Sequence, residues 1–221
     1  MAKGISYKKN KTIYFEILSE KQKKIFKKLT FLKKHGFYLA GGTGLALQIG
    51  HRTSIDFDFY TQKKFNPLRL KKEFDGKFKK VEVIYFDEDT LELMVDNVRL
   101  SFFNYPYKLI KKPLVIYGVE IASLEDIAGM KIIAVTQRGR KRDFVDIYFL
   151  IKIFGLKKIF EIVKKKFPGF NIYLGLQGLI YFKDADKEPE ERGIKLKEKI
   201  NWQEIKKFIL QELRQFKKEF L

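Results

Sequence analysis

The run from Phe37 to Tyr60, FYLAGGTGLALQIGHRTSIDFDFY, constrains this chain more than any other stretch. An apolar strand, 37–40, ends in Gly41-Gly42-Thr43, a turn at which backbone can approach a ligand without a Cβ in the way. Leu45, Ala46, Leu47 and Ile49 suit a short packed helix, with Thr43 as its expected N-cap. Residues 55–60 then alternate, placing Ile55, Phe57 and Phe59 on one strand face and Asp56 and Asp58 on the other. Asp is disfavoured in strands, and adjacent carboxylates repel unless a cation joins them. Either half of this pattern alone is common on solvated surfaces. Together they predict a divalent-cation site at Asp56 and Asp58 beside a phosphate cradle, the equipment of nucleotidyl transfer.

What the chain lacks narrows the metal. With no Cys and only His35 and His51, it can build neither a thiolate nor a multi-histidine zinc centre. Oxygen ligands remain, and they favour Mg²⁺ or Mn²⁺. Both histidines read as boundary residues beside turn glycines. The net charge of +19 attracts nucleotides, nucleic acid or an acidic partner, although only eight of the 46 basic residues are Arg and a lysine-rich habit accounts for part of it. The first ten residues hold no apolar signal segment, and no apolar run approaches a membrane span, so a cytoplasmic protein is expected.

Along the chain, residues 16–35 read as one amphipathic helix, with Ile17, Leu18, Ile25, Phe26, Leu29 and Leu32 apolar among lysines. Asn66-Pro67 opens a second helix. Strands are expected at 81–86, 91–95 and 98–104, the last two joined at Asp96-Asn97, and at 114–117 and 119–121. From Ser123 the period changes to 3.6, giving helices from 123 to about 137, then 142–154, 156–166, 170–182 and 201–219, with 183–199 a polar connector. The expected fold class is α+β: residues 1–122 form a mixed sheet with flanking helices, and 123–221 a helical part that reaches the active site.

A second cluster, QRGRKRDFVDIYFL at 137–150, sets Arg138, Arg140 and Arg142 directly before Asp143 and Asp146, with Lys131 one helix earlier. An arginine-dense turn grips phosphates. The competing reading is a surface hairpin laced by Arg–Asp pairs, worth little energetically.

With these residues in place, the chain resembles the AbiEii/AbiGii-type nucleotidyltransferases of the DNA polymerase β-like superfamily. The resemblance rests on GGT at 41–43, RTSIDFDFY at 52–60, SLEDIAGMKIIA at 123–134 and RGRKRDFVDIYFL at 138–150, and covers roughly residues 35–155. It implies a polymerase β-like nucleotidyltransferase core followed by helices, serving as the toxin of a type IV toxin–antitoxin or abortive-infection system. The MenT enzymes, which resemble this chain in motif, transfer nucleotides to tRNA ends. Carried over residue by residue, Gly41, Gly42 and Thr43 look like the phosphate-contacting turn, and Asp56 and Asp58 like the metal-binding pair. Lys131 looks like the helix lysine on the nucleotide phosphates, Asp146 or Asp143 like the acid of the last motif, and Arg52, Ser54 and Arg138 like further phosphate contacts. The implied substrate is an NTP, the implied acceptor RNA or tRNA (or a protein), and the implied partner an antitoxin. One departure is visible. Where the superfamily places a third carboxylate on a neighbouring strand, this chain offers Ser101, leaving Asp146 or Glu92 to substitute. The alternatives are a small-molecule nucleotidyltransferase or phosphotransferase, and a catalytically silent protein that binds RNA or a partner.

Overall fold

The computed structural model describes residues 12–189 and 194–220; the amino-terminal segment read for a signal and part of the 183–199 connector lie outside them. The first half contributes α1 (Glu20–Phe26), β1 (Tyr38–Leu39), α2 (Gly41–Ile49), β2 (Phe57–Thr61), α3 (Pro67–Asp75), β3 (Val81–Phe86), β4 (Thr90–Val95), β5 (Val98–Asn104), β6 (Leu114–Ile116) and β7 (Val119–Ile121). The second half is helical: α4 (Leu124–Gln137), α5 (Lys141–Phe154), α6 (Leu156–Lys166), α7 (Ile172–Ile180), α8 (Lys183–Asp186) and α9 (Trp202–Phe220). Among the described residues no helix is long and apolar enough to cross a membrane.

The strands form one mixed seven-stranded sheet in the order β3-β4-β5-β2-β1-β7-β6. β2 runs antiparallel to β1 and parallel to β5. Alternation along β2 divides the molecule. Phe57 and Phe59 point into an apolar layer with Leu91, Leu93, Leu100 and Phe102, covered by α1, α3 and the amino-terminal turns. Asp58 and Tyr60 point the other way, toward the layer made by α4 to α9. Each fully buried Phe stabilises by about 1.5–3 kcal/mol, so the two hold the register that keeps Asp58 out of the first core.

Local chemistry explains the element ends. Asn66 caps α3 through Arg69 N–H with Pro67 in the first turn, and Ser123 caps α4 by accepting from Asp126 N–H. Asp96 and Asn97 both take positive φ (47° and 67°), the two-residue hairpin turn that joins β4 to β5.

Three expectations need correction. The single helix over 16–35 is three pieces: a 3₁₀ turn at Phe15–Ile17, α1, and a 3₁₀ helix at Leu29–His35. A Ser19–Gln22 capping box starts α1 afresh, and the three-residue spacing of Leu29 and Leu32 suits a 3₁₀ turn, which buries both. The strand expected at 55–60 begins only at Phe57, leaving Ile55 exposed and Asp56 on the approach to the strand. The connector is not merely surface: Leu196 bridges to Arg52, and Thr53 N–H donates to the Lys195 carbonyl (3.0 Å).

Candidate active site

β1 ends against β2, where Ala40 N–H donates to the Asp58 carbonyl (3.0 Å), and the chain turns at once into α2. The glycines at this turn are required by the chain's own side chains. A Cβ at Gly41, whose φ is +59°, would stand 2.6 Å from Asp58 Oδ2, and one at Gly42 would stand 2.1 Å from Arg52 Nη2. The helix begins at Gly41 with Ala40 at its N-cap, so Thr43 lies inside the first turn instead of capping it. Thr43 is buried, and its hydroxyl donates to the Asp56 carbonyl while meeting the Ser54 hydroxyl at 2.6 Å. Gln22 Nε2 donates to the Ser54 carbonyl (3.0 Å) from the other side. Thr43 and Ser54 therefore strap down the backbone that presents Asp56.

Asp56 and Asp58 line one narrow polar cleft with Gly42, Lys131, Arg138 and Arg142. Asp56 remains 28% exposed, with Arg142 Nη1 at 3.7 Å. Burial, reinforced by the negative charge of Asp56, raises the Asp58 pKa above its ordinary value. The first-turn N–H groups of α2 lack intrahelical acceptors and carry the positive end of the helix dipole. Two carboxylates, one of them held at an unfavourable charge, fit a hard divalent cation that completes its shell with water and phosphate oxygens. Among the described residues no group of three or more His, Cys, Asp or Glu side chains gathers to hold a metal, so these two would be the protein's share.

A second acidic pair, Asp143 on the cleft wall and Asp146 behind it, is held by cations of the chain itself. Asp143 and Asp146, one helical turn apart on α5, are both fully buried. Lys131 Nζ sits between them, 2.7 Å from Asp143 Oδ1 and 2.5 Å from Asp146 Oδ2. Arg52 grips Asp146 with two hydrogen bonds, Nε to Oδ1 at 2.7 Å and Nη2 to Oδ2 at 3.0 Å. His51 Nε2 completes the set at 2.7 Å from Asp146 Oδ1. Burial would raise the Asp146 pKa, but Arg52, Lys131 and His51 outweigh it and hold the carboxyl well below the usual range. Burial would likewise lower the Lys131 pKa, and the two aspartates reverse it. Burial lowers the His51 pKa, leaving a neutral imidazole that donates from Nε2.

The expected site residues thus separate into two groups. Gly42, Ser54, Asp56, Asp58, Lys131, Arg138 and Asp143 meet at the cleft, joined by Arg142. Arg52 touches the cleft but spends its guanidinium on Asp146, and Asp146 itself has no exposed surface. Arg140 points instead toward the Trp202 side, where it lines a neighbouring pocket with Lys141 and Glu188. Neither substitute for the missing acid is positioned to act. Ser101 is the register partner of Asp58, and Glu92 pairs with Ser101 one strand farther out, about 9–10 Å from β2 by strand spacing, where it holds Arg99. His51, read from the sequence as a boundary residue that flanks the motif, is instead a buried partner of Asp146; its place directly before Arg52 was the available signal.

Comparison with known proteins adds an independent line. Residues 80–219 match the family model described as "Nucleotidyl transferase AbiEii toxin, Type IV TA system". That match begins after the Gly-Gly turn and the first acidic pair, takes in the motifs at 123–134 and 138–150, and runs on through the last helices, where no motif was legible. An uncharacterized protein of Aquifex aeolicus is 37% identical over 186 residues, covering 81% of this chain and 87% of its own length. JHP933 from Helicobacter pylori shares the fold at a TM-score of 0.57 and 20% identity, over 91% of this chain and 96% of its own. MenT4, a nucleotidyltransferase toxin of Mycobacterium tuberculosis, shares it at 0.52 and 16% identity, over 85% of this chain and 79% of its own.

Proposed function

Since the chain belongs to the AbiEii nucleotidyltransferase toxin family of type IV toxin–antitoxin systems, we propose that it transfers a nucleoside monophosphate from an NTP to a hydroxyl of RNA, tRNA foremost, and that an antitoxin restrains it. The observation that carries this reading is the meeting of Asp56 and Asp58 with the amino-terminal turn of α2 and two arginines in one cleft. The acceptor oxygen attacks the α-phosphorus in line, the bond to the bridging oxygen breaks, and pyrophosphate departs. Asp56 and Asp58 would hold Mg²⁺, which when bound neutralises charge on the phosphate oxygens. Arg138 and Arg142 attract the polyphosphate, and the Gly42 backbone lets it approach α2 closely. Lys131 contributes less free charge than its position suggests, because Asp143 and Asp146 already share it. Asp146 acts as a positioning residue, fixing Lys131 and Arg52 behind the cleft. With Ser101 beside Asp58, the acceptor's proton leaves to solvent, and residues 123–221 serve to wall the cleft that residues 1–122 furnish with acids.

A net charge of +19 and a cleft rimmed by arginines favour a polyanionic acceptor over a cationic small molecule. Ser101 supports a second reading, a protein that binds nucleotide and RNA without turnover. Incubating the pure protein with each α-labelled NTP, Mg²⁺ and total RNA separates them. Label in RNA that vanishes in Asp56→Ala is expected. RNA binding without label in any combination would replace transfer by the second reading.

A further inference from the structure

A groove of about 670 Å³ opens beside the carboxylate cleft, and Arg138 lines both. Its floor begins with Tyr60, two residues beyond Asp58 on the same face of β2 and therefore about 7 Å farther along the strand. Phe103, the register partner of Tyr60 on β5, lies beside it at 5.2 Å between ring centroids. The rings continue outward: Tyr60 to Tyr105 at 5.4 Å, Tyr105 to Tyr107 at 4.9 Å, and Tyr107 to Phe167 at 4.8 Å.

This row differs from ordinary core packing in three respects. Tyr107 keeps 43% of its surface exposed, and Phe103 and Tyr105 are only partly covered, so part of the aromatic row is left toward water. Among the described residues no Asp or Glu lines the groove, although acids line the cleft next door. Gln137 adds an exposed side-chain amide, a group that pairs with the edge of a heterocyclic base, whereas Asn104 Nδ2 donates to the Thr61 and Lys63 carbonyls. A partly exposed aromatic row, one exposed amide and one arginine at the mouth match a flat heterocycle carrying a phosphate. The volume lies within the range of small-molecule sites. Tyr38 already stacks on Tyr60, so a base would lie against the outer part of the row, at Tyr105 and Tyr107, with its phosphate toward Arg138 on the threshold of the cleft.

We infer that this groove binds an unstacked nucleobase whose attached phosphate enters the cleft past Arg138, an inference that rests on the transferase reading above. The base belongs to the NTP or to the terminal nucleotide of the acceptor RNA, and the chemistry of recognition is the same for both. Equilibrium binding tests it without turnover. One arm compares ATP with inorganic tripolyphosphate; the other compares a short single-stranded RNA with the same RNA carrying an abasic terminal residue. In at least one arm the wild-type protein should prefer the ligand with the base by about 10-fold. Tyr107→Ala, at an exposed position, should erase that preference without changing affinity for the ligand that lacks the base. Tyr105→Leu, which keeps an apolar filler, should do the same. The arm that shows the preference identifies the source of the base. No preference in either arm, or a preference that both variants retain, overturns the inference. Stacking without transfer would sink the transferase reading alone, and transfer by a protein indifferent to the base in both arms would sink the groove alone.

Discussion

Two aspartate pairs lie within one small volume of this molecule and obey opposite electrostatics. Asp143 and Asp146 are buried, yet Lys131 lies between them, Arg52 grips Asp146 and Arg138 Nε stands 3.4 Å from Asp143 Oδ2, and Asp146 titrates well below its ordinary value. Asp56 and Asp58 face a cleft in which Arg142 stands 3.7 Å from Asp56, and at Asp58 burial and its neighbour's charge outweigh Lys131, Arg142 and Arg138 and raise the carboxyl above its ordinary value. The same residue type is therefore an anchor in one pair and an unmet demand for positive charge in the other. Charge that the fold leaves uncompensated marks the place where a ligand supplies the balance.

The largest expected effect separates the pairs by activity. Asp56→Ala should lower transfer by about a thousandfold or more, several kcal/mol of transition-state stabilisation, while unfolding stability shifts by no more than about 0.5 kcal/mol. Transfer to labelled RNA together with a urea titration checks both. Full activity in this variant would dissolve the distinction.

Next is the anchor. Asp146→Ala leaves Arg52 and part of the Lys131 charge buried without a partner, which should cost about 3–5 kcal/mol of stability. A double variant, Arg52→Met with Asp146→Leu, should recover much of that loss by removing both charges. A single variant as stable as wild type would mean that the buried network contributes nothing to the fold.

Acid should then separate the pairs by pH. The Asp58 carboxyl is raised in the folded state, so protons compete with a cation there at a pH above its ordinary 3.8. The Asp146 carboxyl is depressed, so its stabilising contribution is present above 3.8 and is lost only as pH falls through its lower folded value. His51, depressed by burial, adds a gradual loss of stability below pH 6.5, where the unfolded chain takes up a proton that the folded one excludes. Thermal melts with and without Mg²⁺ across pH should therefore show the Mg²⁺-dependent increment vanishing before the fold does. Simultaneous loss would contradict this order.

The smallest effect concerns the missing acid. Ser101→Ala should leave transfer within about twofold of wild type, since loss of a general base would cost about 10²–10⁴. A loss of that size would give Ser101 a part in the chemistry.

Much of the first pair was legible in the sequence, and little of the second. Alternation at 57–60 and the Gly-Gly turn are local patterns, and they foretold where Asp58 faces and the turn at 41 and 42, although what a side chain there would meet is Asp58 and Arg52 of the chain itself, partners that no local pattern names. The strand's start was misread because Ile55 looks like a third apolar position and only tertiary packing leaves it exposed. Arg52 was read as a phosphate contact because its partner, Asp146, lies 94 residues away, and no periodicity links the two. The return of Leu196 to Arg52 was hidden for the same reason, in a segment whose composition is that of a solvated loop.

Asp58→Asn tests the central claim most directly, with stability and transfer measured on one preparation. The amide keeps the shape but removes a charge that burial and Asp56 make unfavourable. The expected result is a melting temperature at or above wild type in the absence of Mg²⁺, no further increment when Mg²⁺ is added, and loss of transfer. A variant that melts lower than wild type and still transfers nucleotide would show that Asp58 belongs to the scaffold and that the cleft is not where the chemistry occurs.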